Sequence, residues 1–315
     1  MSASNVMQPL KTGYEKSAAR LLRRLHLTNG IAIGIIWVLA LFVAFLFIGI
    51  IVQLVFQGFT ASAEHSTPVL LDPNFYGTTE LGIGSELFNT FYILILTEIF
   101  LFPIALGAAI YTVEYAKQGP LISIIRFAAE TLAGVPSIVL GLFGVILFGS
   151  LFQFHVSRLT GALTLLCLNF PIALRLFEDA LTSVPRELRE ASLALGSTRW
   201  HTIRTVVLPS ALPGLITGLI LSAGKIIGET AALVFTMGET NPFSGVFTLN
   251  PFISSDTLTI RIWYLKTQDT PPGISSAEAS AIAAGAAAML ILILLVINLG
   301  ARGLGRYIQR RVTAA

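Results

Sequence analysis

Apolar residues along this chain do not alternate with polar ones; they come in long runs. Six stretches are predominantly apolar over about 20 residues, the length a helix needs to cross a hydrocarbon core: roughly 31–56, 88–112, 134–153, 159–181, 211–237 and 278–300. The pattern predicts an all-α polytopic membrane protein with six transmembrane helices. It has a polar tail over 1–30 and one transmembrane domain over 31–315. Residues 121–134, LISIIRFAAETLAG, read as an amphipathic segment lying along the surface, with Gly134 and Pro136 marking where the chain turns in. The first run is too long for the apolar region of a signal peptide and follows a polar tail, so it reads as a span. Small residues four apart at Gly30/Gly34, Gly214/Gly218 and Ala281/Gly285 suit close helix packing in lipid.

Composition agrees with this pattern. Of 315 residues, 54% are hydrophobic and only 12% charged, with a mean hydropathy of +0.79, which sets the chain apart from soluble domains. Its charges are sorted by side. Fifteen lysines and arginines fall in the two tails and the second and fourth connections; three, Arg158, Arg261 and Lys266, fall in the others. The positive-inside rule therefore puts both termini in the cytosol, and six spans require the same parity. The single cysteine, Cys167, excludes an internal disulfide, and the four histidines lack ligand spacing.

Charged residues also fall inside the runs. Lys225 and Glu229 are four apart, so on one helix they share a face. In a helix over about 213–236, Lys225 is about 18 Å from either end, too deep to snorkel comfortably. An ionised group there costs at least about 2.5–3.5 kcal/mol. Two readings stand: a neutralised pair that fixes packing, or a polar path for a charged solute. Arg175 lies about a turn and a half inside the fourth run, with Glu178 and Asp179 read as solvated flank charges. Glu98 is also intramembrane, protonated or paired. Fixed cations on a membrane path point to oxyanions as a class, since guanidinium matches phosphate and carboxylate oxygens.

The connection over 183–210 is part basic and part apolar, suited to docking on a cytosolic partner. A helix is expected from Glu190 to Leu195 with Gly196 ending it. Amphipathic structure is expected to continue to the helix-interrupting Pro209 and Pro213. Glu190, Ala191 and Ser192, then Gly196, then Val206, Leu208 and Pro209 resemble the EAA loop of binding-protein-dependent ABC importer permeases; Ser192 replaces the second alanine. TLAGVPSIVLGLFG (131–144), NFPIALRLFEDALTSVPRELREASLALGSTRW (169–200) and GETAALVFTMG (228–238) together resemble the PstA family of phosphate permease subunits. In that family an arginine usually stands where this chain has Lys225, so the positive charge survives and the bidentate fork does not. Arg175 matches the family's arginine in the fourth span.

The resemblance implies a type I ABC importer fold in a bacterial-type cytoplasmic membrane. It implies a substrate path at Arg175, Lys225 and Glu229, and ATPase docking at Glu190, Ala191, Ser192, Gly196, Leu208 and Pro209. The implied partners are a PstC-like permease, two PstB-like ATPase subunits carrying ATP–Mg, and a PstS-like extracytoplasmic phosphate-binding protein. No catalytic or metal site is expected in this chain. It has no G-x-x-x-x-G-K-[ST]; its one Gly-Lys, Gly224-Lys225, is followed by Ile and lies in a span. A permease for molybdate or sulfate is the nearest alternative. A stand-alone anion carrier has no need of the 190–209 loop, and the absence of a convincing internal repeat weighs against it.

Overall fold

A computed structural model describes residues 4–60, 68–77, 82–117, 119–239, 247–268 and 275–313. All regular structure among them is helical. Five helices are long and apolar enough to cross a membrane, six if one bent pair counts as a span. The chain divides into two units, Met1–Gln53 and Leu54–Ala315. The first unit is the greater part of helix α1 (Ser4–Thr60). Its apolar side chains from Ile31 to Val52 stay exposed, and a Cβ added at Gly30 or Gly34 would meet nothing.

The second unit is built around α5 (Arg158–Thr182), which packs against α2 (Gly84–Ile110) and α8 (Leu208–Gly228). Leu101, Ala105, Leu165, Phe177, Leu181 and Leu215 are among the buried residues of this core. The Gly214/Gly218 pair does what its spacing predicts. A Cβ at Gly214 would lie 2.8 Å from that of Ala180, and one at Gly218 3.1 Å from the Phe177 ring, so glycine lets α8 close on α5. Gly285 of α11 (Ser276–Thr313) makes room in the same way for Val69 and Phe75.

The entry to the third span is as expected. Amphipathic α3 (Pro120–Ala133) runs into Gly134, and the chain then bends by 100° into α4 (Ser137–Gly144), with Pro136 at the bend. A π-helical segment, Val145–Leu151, completes the span.

The fifth span differs from expectation at both ends. Pro209 and Pro213 do not interrupt it. Helical backbone runs without a gap from α7 (Arg199–Thr202) through a π-helical turn, Ile203–Val207, into α8. Pro209 sits in the first turn of α8, where a missing N–H costs least, and the wider turn before it absorbs the altered bonding. At the other end the helix stops at Gly228. Glu229 is extended (φ −76°, ψ 127°), and a separate short helix, α9 (Ala231–Thr236), follows. The outer connection, read as a loop, holds α10 (Leu258–Thr267).

Candidate transport path and coupling site

The break at Gly228 changes the geometry of the charged pair. Lys225 lies half-buried in the last turn of α8, and Glu229 lies beyond the helix. No ion pair within 4.0 Å joins them, although the Glu229 carboxylate still attracts the Lys225 ammonium across the longer distance. Each has its own setting. Lys225 sits at the negative pole of α8, where a cation is favoured. Glu229 Oε1 accepts from the Ala232 N–H at 3.2 Å and so caps α9, while its backbone carbonyl accepts from Thr259 Oγ1 of α10 at 3.1 Å. A carbonyl freed by a break in a membrane helix must find such a donor.

Arg175 is exposed, as is Asp179 one turn on. No hydrogen bond or ion pair links Arg175, Lys225 and Glu229 among the described residues. Glu178 is not a solvated flank charge: it is largely buried, and Oε2 pairs with Arg126 of α3 at 3.7 Å. Glu98 of α2 lies beside Ser222 of α8, yet neither Glu98 Oε1 nor Ser222 Oγ completes a hydrogen bond of normal geometry. Two cations thus lie within the spans without a salt bridge among the described residues: Arg175, which is exposed, and Lys225, half-buried and within the influence of Glu229.

The cytosolic connection folds as two helical arms. The first, α6 (Arg186–Ala194), is longer than the expected Glu190–Leu195 and has no buried residue. It ends as predicted. Gly196 adopts φ +86°, its N–H bonds the Leu193 carbonyl at 2.9 Å, and Ser197 N–H bonds Ser192 O at 3.3 Å. This left-handed stop belongs to glycine. Ser192 Oγ lies 2.9 Å from Thr202 Oγ1, bracing α6 against the second arm. Glu190 and Ala191 face solvent, and Leu208 and Pro209 lie half-buried at the root of α8. Leu195, at the tip, is 88% exposed, and Trp200 is exposed beside it in sequence. An apolar tip on an otherwise polar arm is a docking feature.

Two arginines hold structure that sequence reasoning missed. Arg189 of α6 bonds Glu114 and two carbonyls of the membrane spans; its position beside Glu190 was the only signal. Arg158, counted above merely as a charge on the outer side, is 1% exposed. Its guanidinium donates to Ser255 Oγ at 3.0 Å, to the carbonyls of Thr248 and Asn250, and to Asn89 Oδ1, and lies 4.8 Å from the Tyr92 ring centroid. Arg158 therefore ties α5, α2 and the outer segment 247–257 together. Arg158→Met should lower the melting temperature of the purified permease sharply, since each orphaned buried acceptor costs about 1–3 kcal/mol. Arg158→Lys should recover little, because one ammonium cannot span those acceptors. An unchanged thermal midpoint in Arg158→Met would refute this role.

Residues 101–314 match the family described as the binding-protein-dependent transport system inner membrane component. The chain belongs to this family. It is 43% identical over 242 residues to the probable ABC transporter permease protein YqgI of Bacillus subtilis, covering 74% of this chain and 81% of that one. It is 37% identical over 174 residues to the phosphate transport system permease protein PstA 1 of Mycobacterium tuberculosis, about half the length of each (55% and 56%). Among solved structures, a bacterial ABC transporter importing the polysaccharide alginate matches 93% of this chain and 99% of its own, with TM-score 0.63 and 16% identity. The inward-facing methionine transporter MetNI matches 76% and 99%, with TM-score 0.56 and 17% identity. At those identities the likeness is one of fold, the type I ABC importer permease fold. The protein is thus an integral inner-membrane permease subunit of an ABC importer.

Proposed function

We propose that this chain forms half of the transmembrane path for inorganic phosphate in an ATP-driven importer, with both termini in the cytosol. A PstC-like permease completes the pore, two PstB-like ATPases supply the energy, and a PstS-like protein delivers the solute from outside. The observation that carries the reading is the pair of cations at Arg175 and Lys225, neither held in a salt bridge, in a chain 37% identical to permeases named for phosphate. A cation within a span is costly, and a passing oxyanion supplies opposing charge transiently. Two separate cations need not hold that anion tightly, so release into the cytosol is not slowed. The chain itself does no ATP chemistry in this reading. ATP–Mg binds the partner ATPases, and their closure acts on the permease through α6 and its Glu190–Gly196 stretch.

The test is radiolabelled phosphate uptake in cells with and without this chain, with unlabelled sulfate and molybdate as competitors. Uptake should require the chain and the ATPase subunits and should resist both competitors. Competition by sulfate or molybdate at concentrations matching phosphate would move the solute to another oxyanion. Uptake persisting without the ATPases would replace the importer reading with a carrier.

A further inference from the structure

The docking arm α6 has no fully buried residue, so apolar packing of its own carries little force into the membrane. One of its side chains turns inward. Arg189 is 16% exposed, and its Nε donates to Glu114 Oε1 at 3.1 Å; Glu114 is 13% exposed. Glu114 belongs to the π-helical turn Tyr111–Tyr115 that ends the second span. The other two nitrogens of the same guanidinium donate to the carbonyls of Leu181, at 2.7 Å, and Val184. Those carbonyls lie at and just beyond the C-terminal end of α5, where backbone acceptors lack helical donors and a cation is favoured. A single planar fork thus joins the docking arm to two spans. Little water reaches the pair, so screening is weak and separating the charges is costly.

We propose that Arg189 is the positioning residue that carries motion of α6 into the membrane, clamping α6 to the cytosolic ends of the second and fourth spans through Glu114, Leu181 and Val184. The inference rests on α6 being the ATPase-docking arm, as argued under the proposed function. The fourth span continues the linkage outward, because Arg158 at its far end grips the outer segment. When ATPase closure pulls α6, α2 and α5 move with it rather than being left behind. Lysine at 189 would keep the charge but could not reach acceptors on two elements at once. The hydrogen bonds from α6 to the spans would then be reduced to one or none.

The experiment uses the full importer in proteoliposomes, on a Cys167→Ser background. Spin labels are placed at Glu187→Cys on α6 and Tyr111→Cys at the end of the second span, both exposed positions. The distance between them is read at rest and after trapping with ATP and vanadate. It should stay constant in the parent, and it should change by about 1–2 Å or more, the scale of helix shifts, in Arg189→Gln. Glu114→Gln, which keeps an acceptor oxygen, should show a smaller change. Solute uptake per ATP hydrolysed should fall at least about fivefold in Arg189→Gln, the low end of typical coupling, with Arg189→Lys between it and the parent. Cross-linking of Leu193→Cys to an ATPase subunit checks the docking reading separately, and the spin-label distance needs no solute at all. In complexes that do cross-link, a distance that stays constant in both Arg189→Gln and Glu114→Gln overturns the proposal. So does loss of ATPase binding in both variants, because a transmitting residue is not needed for docking.

Discussion

Lys225→Met abolishes solute uptake, while the purified permease melts at the same temperature or higher. Opposite signs in function and stability are expected because the two terms differ in size. An ionised lysine within the span costs at least about 2.5–3.5 kcal/mol. Its position at the C-terminal pole of α8 returns only about 0.3–1 kcal/mol. Glu229 caps α9 through Ala232 N–H and forms no salt bridge with Lys225, so its attraction acts only at longer range and offsets a small part of the cost. The charge is therefore a net burden on folding that only transport explains. Lys225→Arg should keep uptake, because it restores the cation and adds a donor fork. Glu229→Gln retains an acceptor for Ala232 and should leave the fold intact. The double variant Lys225→Met with Glu229→Gln separates the two roles. A folded double variant with normal uptake would end the transport role of Lys225. A large drop in melting temperature for Lys225→Met alone would make the lysine structural instead.

Gly196→Val uncouples the permease from its ATPases without unfolding it. Gly196 stands at φ +86°, and a Cβ there would meet nothing within 4 Å. The penalty is then purely conformational, about 1–2 kcal/mol for an ordinary residue in the left-handed region and greater for a β-branched one. A penalty of 1.4 kcal/mol shifts a local equilibrium about tenfold, enough to unseat the turn that sets Leu195 at the tip. The membrane core, which lies elsewhere, is untouched. Gly196→Asn should be tolerated far better, since asparagine visits the left-handed region. The measurements are co-purification of the ATPase subunits and uptake per ATP hydrolysed. Gly196→Val complexes that retain both at parental levels would show that the turn is not needed for coupling.

Local signals in the sequence account for much of the fold. Four of the six expected runs fall within long apolar helices, with the fourth run matching to within a residue at each end: 159–181 against Arg158–Thr182. The third begins at the expected turn. Run length is legible because lipid forces every backbone group to bond within its own helix. The stop at Gly196 was legible too, since left-handed backbone selects glycine whatever packs nearby.

The candidate site was less legible. Four-residue spacing of Lys225 and Glu229 does not reveal that the helix stops at Gly228, and where it stops is decided by distant neighbours. The Glu229 carbonyl freed by the break is bonded by Thr259, thirty residues on. Beyond the break, α9 packs so closely on α4 that a Cβ on Gly141 would lie 2.8 Å from the Ala232 Cα. Sequence by itself determined where most of the long apolar helices lie and the glycine stop, because each depends on residues adjacent in the chain. Only the tertiary structure decided that the helix stops between Lys225 and Glu229, that Arg158 is a buried anchor and that Arg189 binds two spans. Each of those outcomes depends on acceptors brought from far along the chain, from 30 residues away for Glu229, 69 to 97 for the Arg158 partners and 75 for Glu114, which no local pattern encodes.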